Sequence, residues 1–125
     1  MAPNPLPKYI YKILPSAPVD PIPDEYPLSE LDQKDGFVHL STAAQVPITA
    51  DLFFADTTSI WVLKINFQGS GLESVTEWEG DGCAHLFGNF GKGDVDSVRR
   101  FERGDCGEKW AESIESNMSG SMWLE

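Results

Sequence analysis

Eight of the nine prolines fall before residue 28, and that placement decides where regular structure can form. A proline fixes φ and brings no amide donor, so helix interiors and central strands exclude it. Pro3, Pro5 and Pro7 stand in the first seven residues without a core pattern, so residues 1–8 read as a flexible arm. Pro15, Pro18, Pro21, Pro23 and Pro27 turn residues 15–27 into an ordered surface loop. Between these two stretches runs Tyr-Ile-Tyr-Lys-Ile-Leu, residues 9–14, rich in strand formers. Both sides of its alternation are largely apolar, which predicts a strand buried on both faces.

The rest of the chain alternates between strand and helix patterns. Residues 36–41, Gly-Phe-Val-His-Leu-Ser, read as a strand with Val38 and Leu40 on one face. Phe37, His39 and Ser41 share the other face, which points at a pocket or a polar layer. A helix follows: Thr42 and Gln45 have capping-box spacing, and Ala44, Ile48 and Leu52 recur at intervals of four with Phe53 beside them. Pro47 fits only a first turn, so the helix starts a turn later or its first turn is distorted. Residues 60–67 form the strongest strand pattern. The turn Gly69-Ser70-Gly71 leads to a weaker one over 75–79, and 84–87 is a third short strand. Residues 95–101 fit strand or helix. Trp110, Ile114 and Met118, with Asp105 and Glu108 as a cap-like pair, predict an amphipathic helix over 106–117. Residues 119–121 read as frayed, with Trp123 and Leu124 docking on the body or on a neighbour, which leaves a dimer open. This mixed order predicts one α+β domain over residues 9–118, followed by a tail over 119–125.

Charge limits the partners. Nine basic against twenty acidic side chains give a net charge of −11. Nucleic acid and anionic membrane surfaces both need a basic face, so neither is an expected partner. No apolar run has the length of a signal peptide or a membrane helix, so a cytoplasmic location is expected. Cys83 and Cys106 are too few for a disulfide framework or a four-thiolate zinc site, and Cys83-Ala-His85 has no standard zinc spacing. No metal site is expected. Gly88, Gly91 and Gly93 lack the strand–turn–helix order and the Lys of a phosphate-binding loop.

Several segments together resemble a known family. These are Tyr11-Lys-Ile-Leu-Pro, Asp35-Gly-Phe-Val-His-Leu-Ser-Thr, Gln45-Val-Pro-Ile-Thr-Ala with Phe53-Phe54, Trp78-Glu79 and His85-Leu-Phe-Gly. Over residues 9–101 they resemble the domain-of-unknown-function family 952, and the Pro-rich loop and acidic C-terminal helix are similar to a fungal version. The resemblance implies an ADP-ribosyltransferase-like fold: a split, mainly antiparallel sheet with a few short helices around a cleft. Transferases of that fold carry a His or Arg on the first strand and a late catalytic Glu. Here the first strand supplies Tyr9, Tyr11 and Lys12, and the late His85-Leu-Phe-Gly turn has no Glu. Phe87 also stands where relatives carry a Tyr hydroxyl.

His39 and His85 are the two histidines, and both lie in these motifs. An ordinary imidazole exchanges protons near neutral pH, which makes them the candidate acid and base. Glu79, beside Trp78 in its motif, is the candidate carboxylate; Glu77 and Asp81 complete an acidic cluster of the kind that is usually a solvated edge. Tyr11, Lys12, Ser41, Thr42, Gln45, Trp78 and Phe87 are candidate ligand-binding residues. Ser41 also reads as a nucleophile or as half of a helix-capping pair with Thr42. Trp61, Trp78 and Trp110 read as core fillers as well. Two functions follow. One is a small-molecule enzyme, its ligand a nucleotide or a small organic metabolite, working by histidine proton transfer. The other is a non-catalytic binding or accessory module that kept the fold and lost the transferase groups. The sequence leaves the cofactor open.

Overall fold

The structure is a computed structural model that describes residues 6–78, 83–103 and 109–125. The chain builds two three-stranded antiparallel sheets. In the first, β3 (Ser59–Asn66) lies between β1 (Tyr9–Leu14) and β6 (Val95–Glu102). In the second, β5 (Ala84–Leu86) lies between β2 (Val38–Leu40) and β4 (Thr76–Trp78). The stretch that fits strand or helix by pattern is therefore a strand: β6 pairs with β3 over almost its whole length. The helices are short: α1 (Glu30–Asp35), α2 (Val46–Phe53), α3 (Trp110–Ser116) and α4 (Met118–Trp123). Among the described residues no helix is long and apolar enough to cross a membrane.

Among the described residues one backbone bridge joins the two sheets. The Tyr11 amide donates to the Ser41 carbonyl, and the Ser41 amide donates to the Tyr11 carbonyl, each at 2.8 Å. Beyond that bridge β1 and β2 separate. Alternation along β1 sends Ile10 and Leu14 into one core with Val38, Leu40, Leu63, Ile65 and Leu86. Tyr11 and Ile13 go into a second core with Val46, Ala50, Val62, Phe101 and Trp110. The strand is thus buried on both faces, as its apolar alternation predicts.

The Thr42–Gln45 capping box forms, with Gln45 Oε1 accepting from the Thr42 amide at 3.0 Å. Its first turn, Ala43–Gln45, is 3₁₀, and Pro47 falls in the first turn of α2. The buried face of α2 differs from the expected one. Val46 and Ala50 face the core, while Ile48 is 59% exposed and Leu52 and Phe53 are each 70% exposed. Both sets recur every four residues, so spacing alone does not choose between them. The shorter chains of Val46 and Ala50 let α2 sit close to β1 and α3.

The helix expected from residue 106 is described only from Trp110; residues 104–108, with Cys106 and the Asp105–Glu108 pair, lie outside the described residues. Lys109 gives α3 no side-chain cap. Asp51 of α2 supplies one, its carboxylate accepting from the Trp110 and Ala111 amides at 2.5 and 3.2 Å. Residues 119–121 are helical where fraying is expected, because Asn117 caps α4 through the Gly120 amide and Gly120 packs against the Phe101 ring. Trp123 and Leu124 dock on the chain's own second core. Of the tryptophans, Trp110 is fully buried, while Trp61 and Trp78 are half-buried at the edge of the first core.

Candidate functional site

Where β1 and β2 part, a cleft of about 550 Å³ opens. Its cause is local. Residues of β2 alternate in the direction of their backbone groups, so His39 faces the same side as Ser41, toward β1. Ser41 finds a strand partner there and His39 does not. Two side chains replace the missing strand: Asp32 Oδ1 accepts from the His39 amide at 3.2 Å, and Lys12 Nζ donates to the His39 carbonyl at 3.3 Å. Lys12 and Asp32 pair with each other at 2.7 Å, their side chains 9% and 2% exposed.

Asp32 also governs the His39 ring. Its Oδ1 lies 2.6 Å from Nδ1, and Asp35 Oδ2 lies 2.9 Å from Nε2. Both contacts are hydrogen bonds only when the ring donates from both nitrogens. Burial raises the Asp32 carboxyl, but the hydrogen bonds from Lys12 and His39 and the Lys12 charge outweigh it, so its pKa is lowered from 3.8. Asp32 is placed by α1. Ser29 Oγ accepts the Asp32 amide at 3.1 Å, and Gly36, at φ 83°, closes the helix through the Asp32 carbonyl.

Across the second sheet His39 is in register with His85, and His85 with Glu77. The two imidazoles meet edge to face at 5.7 Å between ring centroids. Phe37 stacks on His85 at 4.1 Å and touches the rings of His39 and Phe87. Leu31, Phe53 and Phe54 form apolar walls, and Cys83 and His85 complete the rim.

Of the residues singled out from sequence, the cleft gathers Lys12, His39, Ser41 and His85. Phe87 lies beside them through the Phe37 cluster. Tyr11 does not join them. Neighbours on a strand point to opposite faces, and its ring is buried in the second core against Trp123. Its hydroxyl accepts from the Glu125 amide at 2.8 Å, and burial, the largest influence, raises its pKa above 10.0. Thr42 and Gln45 are taken up by the capping box. Trp78 packs edge-on against Phe67 in the first core. Ser41 is not a helix cap; its hydroxyl donates to Thr49 Oγ1 at 3.3 Å. Glu79 and Asp81 lie outside the described residues, as does Cys106. Among the described residues no three His, Cys, Asp or Glu side chains converge to hold a metal ion.

Asp32 and Asp35 were not among the sequence candidates. The signal for them is Ser29-Glu-Leu-Asp32, a capping pattern that ends at Gly36 and leads straight into the histidine strand.

The profile of the family described as "Protein of unknown function (DUF952)" matches residues 21–98. The chain belongs to that family. The DUF952 match takes in Asp32, Asp35, His39 and His85; Lys12 lies before it. The DUF952 chain is also similar to a solved protein, CC0527 from Caulobacter crescentus. The crystal structure of CC0527 superposes with a TM-score of 0.65 at 25% identity, covering 79% of this chain and 90% of that one. Its solution structure gives 0.61 at 22% identity, covering 82% and 91%. None of the curated proteins matches the chain in sequence.

Proposed function

We propose that the chain is a small-molecule enzyme in which His39 moves a proton to or from a ligand held between β1 and β2. The observation that carries this reading is the grip of a buried carboxylate on a half-buried imidazole. Asp32 holds Nδ1 at 2.6 Å, while the ring keeps 31% of its surface open to the cleft. A carboxylate behind an imidazole fixes its tautomer and orientation, and a positioned acid or base speeds proton transfer roughly 10²–10⁴-fold. His85 is the second imidazole at the same opening. Lys12 and Ser41 supply polar contacts at the floor. Trp78, Thr42, Gln45 and Tyr11 act through packing and capping in this reading, and Glu79, outside the described residues, stays the candidate carboxylate that the sequence names.

A cleft between two small antiparallel sheets is in keeping with an ADP-ribosyltransferase-like grouping, which is an analogy of fold and carries no chemistry by itself. One observation favours the second reading, a non-catalytic module of that fold. Both ring nitrogens of His39 are engaged by carboxylates, as in a structural clamp.

The two readings separate on substitution. A collection of small organic compounds is titrated into labelled protein and read by amide chemical shifts. Under the enzymatic reading, a compound that perturbs His39, Ser41 and His85 is also converted, seen as product signals on incubation. His39→Ala and His85→Ala abolish the conversion while lowering the melting temperature by only a few degrees; binding at these amides without conversion favours the non-catalytic module. Failure of both variants to fold would make the histidines structural and sink the enzymatic reading.

A further inference from the structure

We propose that the cleft takes a small molecule with an apolar or aromatic body and a basic nitrogen charged at neutral pH, and that it turns away phosphate-bearing ligands. This inference rests on the cleft reading above and names its ligand class.

Charge decides the ligand class. Lys12 is the cation of the cleft floor, and its charge is already answered. It donates to Asp32 at 2.7 Å and to the His39 carbonyl at 3.3 Å, and its side chain is 9% exposed. Among the described residues the lining contains no arginine. Two carboxylates, Asp32 and Asp35, stand against Lys12 and His39, so even with a charged imidazole the four groups sum to zero. A diphosphate needs cations free to meet it, or converging backbone amides. Here it would meet the Asp35 carboxylate, 35% exposed on the cleft side of His39. A protonated amine meets the same carboxylate as a partner. It takes over the contact that His39 Nε2 makes with Asp35 and leaves Asp32 in place behind the ring. The whole-molecule charge of −11 acts in the same sense, drawing cations and repelling anions.

The apolar part of the ligand follows from the walls. Leu31 is 49% exposed and Phe53 70% exposed, and both line the cleft. The helix-spacing pattern predicts Phe53 on a buried face, and the fold leaves it uncovered at this opening. Exposed apolar side chains grouped at a cavity mark a binding surface, and aromatic faces hold cations as well as apolar groups. A volume of about 550 Å³ suits a ligand of one or two rings.

The test uses two probes of one shape and opposite charge, tryptamine and indole-3-propionate, with ADP-ribose as the phosphate probe. Each is titrated into labelled protein and followed at the amides of Leu31, Asp35, His39 and Phe53. Tryptamine is expected to bind roughly tenfold tighter than indole-3-propionate. That preference is expected to shrink in Asp35→Asn, and to shrink in the wild-type protein as salt rises from about 50 to about 500 mM. ADP-ribose is expected to leave these amides unmoved. Equal or tighter binding of indole-3-propionate or ADP-ribose at the cleft overturns the charge assignment and leaves the cleft as a binding site. Silence of the cleft amides toward all three probes overturns both. The salt series decides the point even where Asp35→Asn does not fold.

Discussion

Asp32 accepts three hydrogen bonds in a position almost closed to water: from Lys12 Nζ, from His39 Nδ1 and from the His39 amide. Replacing it with Asn leaves the Lys12 ammonium buried without a counter-charge. Losing one partner of a buried pair costs about 3–5 kcal/mol. For a chain this size, Asp32→Asn is expected to lower the melting temperature by roughly 10 °C or more, measured by calorimetry at neutral pH. The pH dependence has a definite sign. Burial raises the Asp32 carboxyl, but the Lys12 and His39 contacts leave the folded value below the 3.8 of an ordinary aspartate. The contribution is therefore complete above that ordinary value and is lost as the pH falls through the lower folded value. The gap in melting temperature between wild type and Asp32→Asn is expected to narrow as the pH is taken below 3.8. A gap that stays constant down to the acid-unfolding limit would contradict the assignment.

At the scale of elements, α2 separates two patterns that spacing alone leaves equal. Its core contact is made by Val46 and Ala50, with Ile48, Leu52 and Phe53 turned outward. Ala50→Leu forces extra volume against β1 and α3 and is expected to cost about 1–3 kcal/mol. Leu52→Ala is expected to stay within about 0.5 kcal/mol. Urea midpoints at unchanged slope measure both; the reverse order would put the other face of α2 against the core. The same helix shows what a sequence makes legible. Its cap, its distorted first turn and its late start all follow from Thr42, Gln45 and Pro47, because these effects are local. The strands were legible for the same reason: alternation and flanking turns place β1, β2, β3 and β5 within a residue or two. The strand character of residues 95–102 was not, because its assignment depends on pairing with β3, a contact between distant segments. The buried face of α2 depends on tertiary contact in the same way. So does most of the site. His39 and His85 stand out by scarcity and motif, but the register that brings them together belongs to the second sheet. Asp32 becomes a site residue only because β1 and β2 part beside it.

For the whole molecule, the Pro-rich stretch behaves as a fitted cover over the first core. Tyr26 stacks on Phe90 with ring centroids 5.2 Å apart, and its amide donates to the Phe90 carbonyl at 2.8 Å. The Lys92 amide donates to the Pro23 carbonyl at 2.9 Å. This close approach requires glycine at position 91, where a Cβ would stand 1.6 Å from the Asp24 carbonyl oxygen. Gly91→Ala is expected to lift residues 15–27 from the body. Faster hydrogen exchange in that stretch and at Tyr26 is the readout. Gly93→Ala, with open space around its Cβ, is expected to leave exchange unchanged. Equal behaviour of the two variants would show that the cover is held by other contacts.

Lys12 of the first sheet, His39 of the second and the cap of α1 all converge on Asp32, and its grip on His39 can be observed directly. Long-range proton–nitrogen NMR of the imidazole ring distinguishes a protonated Nδ1 from a bare one. At neutral pH His39 Nδ1 is expected to carry a proton directed at Asp32, and Asp32→Asn is expected to shift this resonance while leaving that of His85 in place. A bare Nδ1 on His39 in the wild-type protein, or a spectrum indifferent to Asp32→Asn, would contradict it.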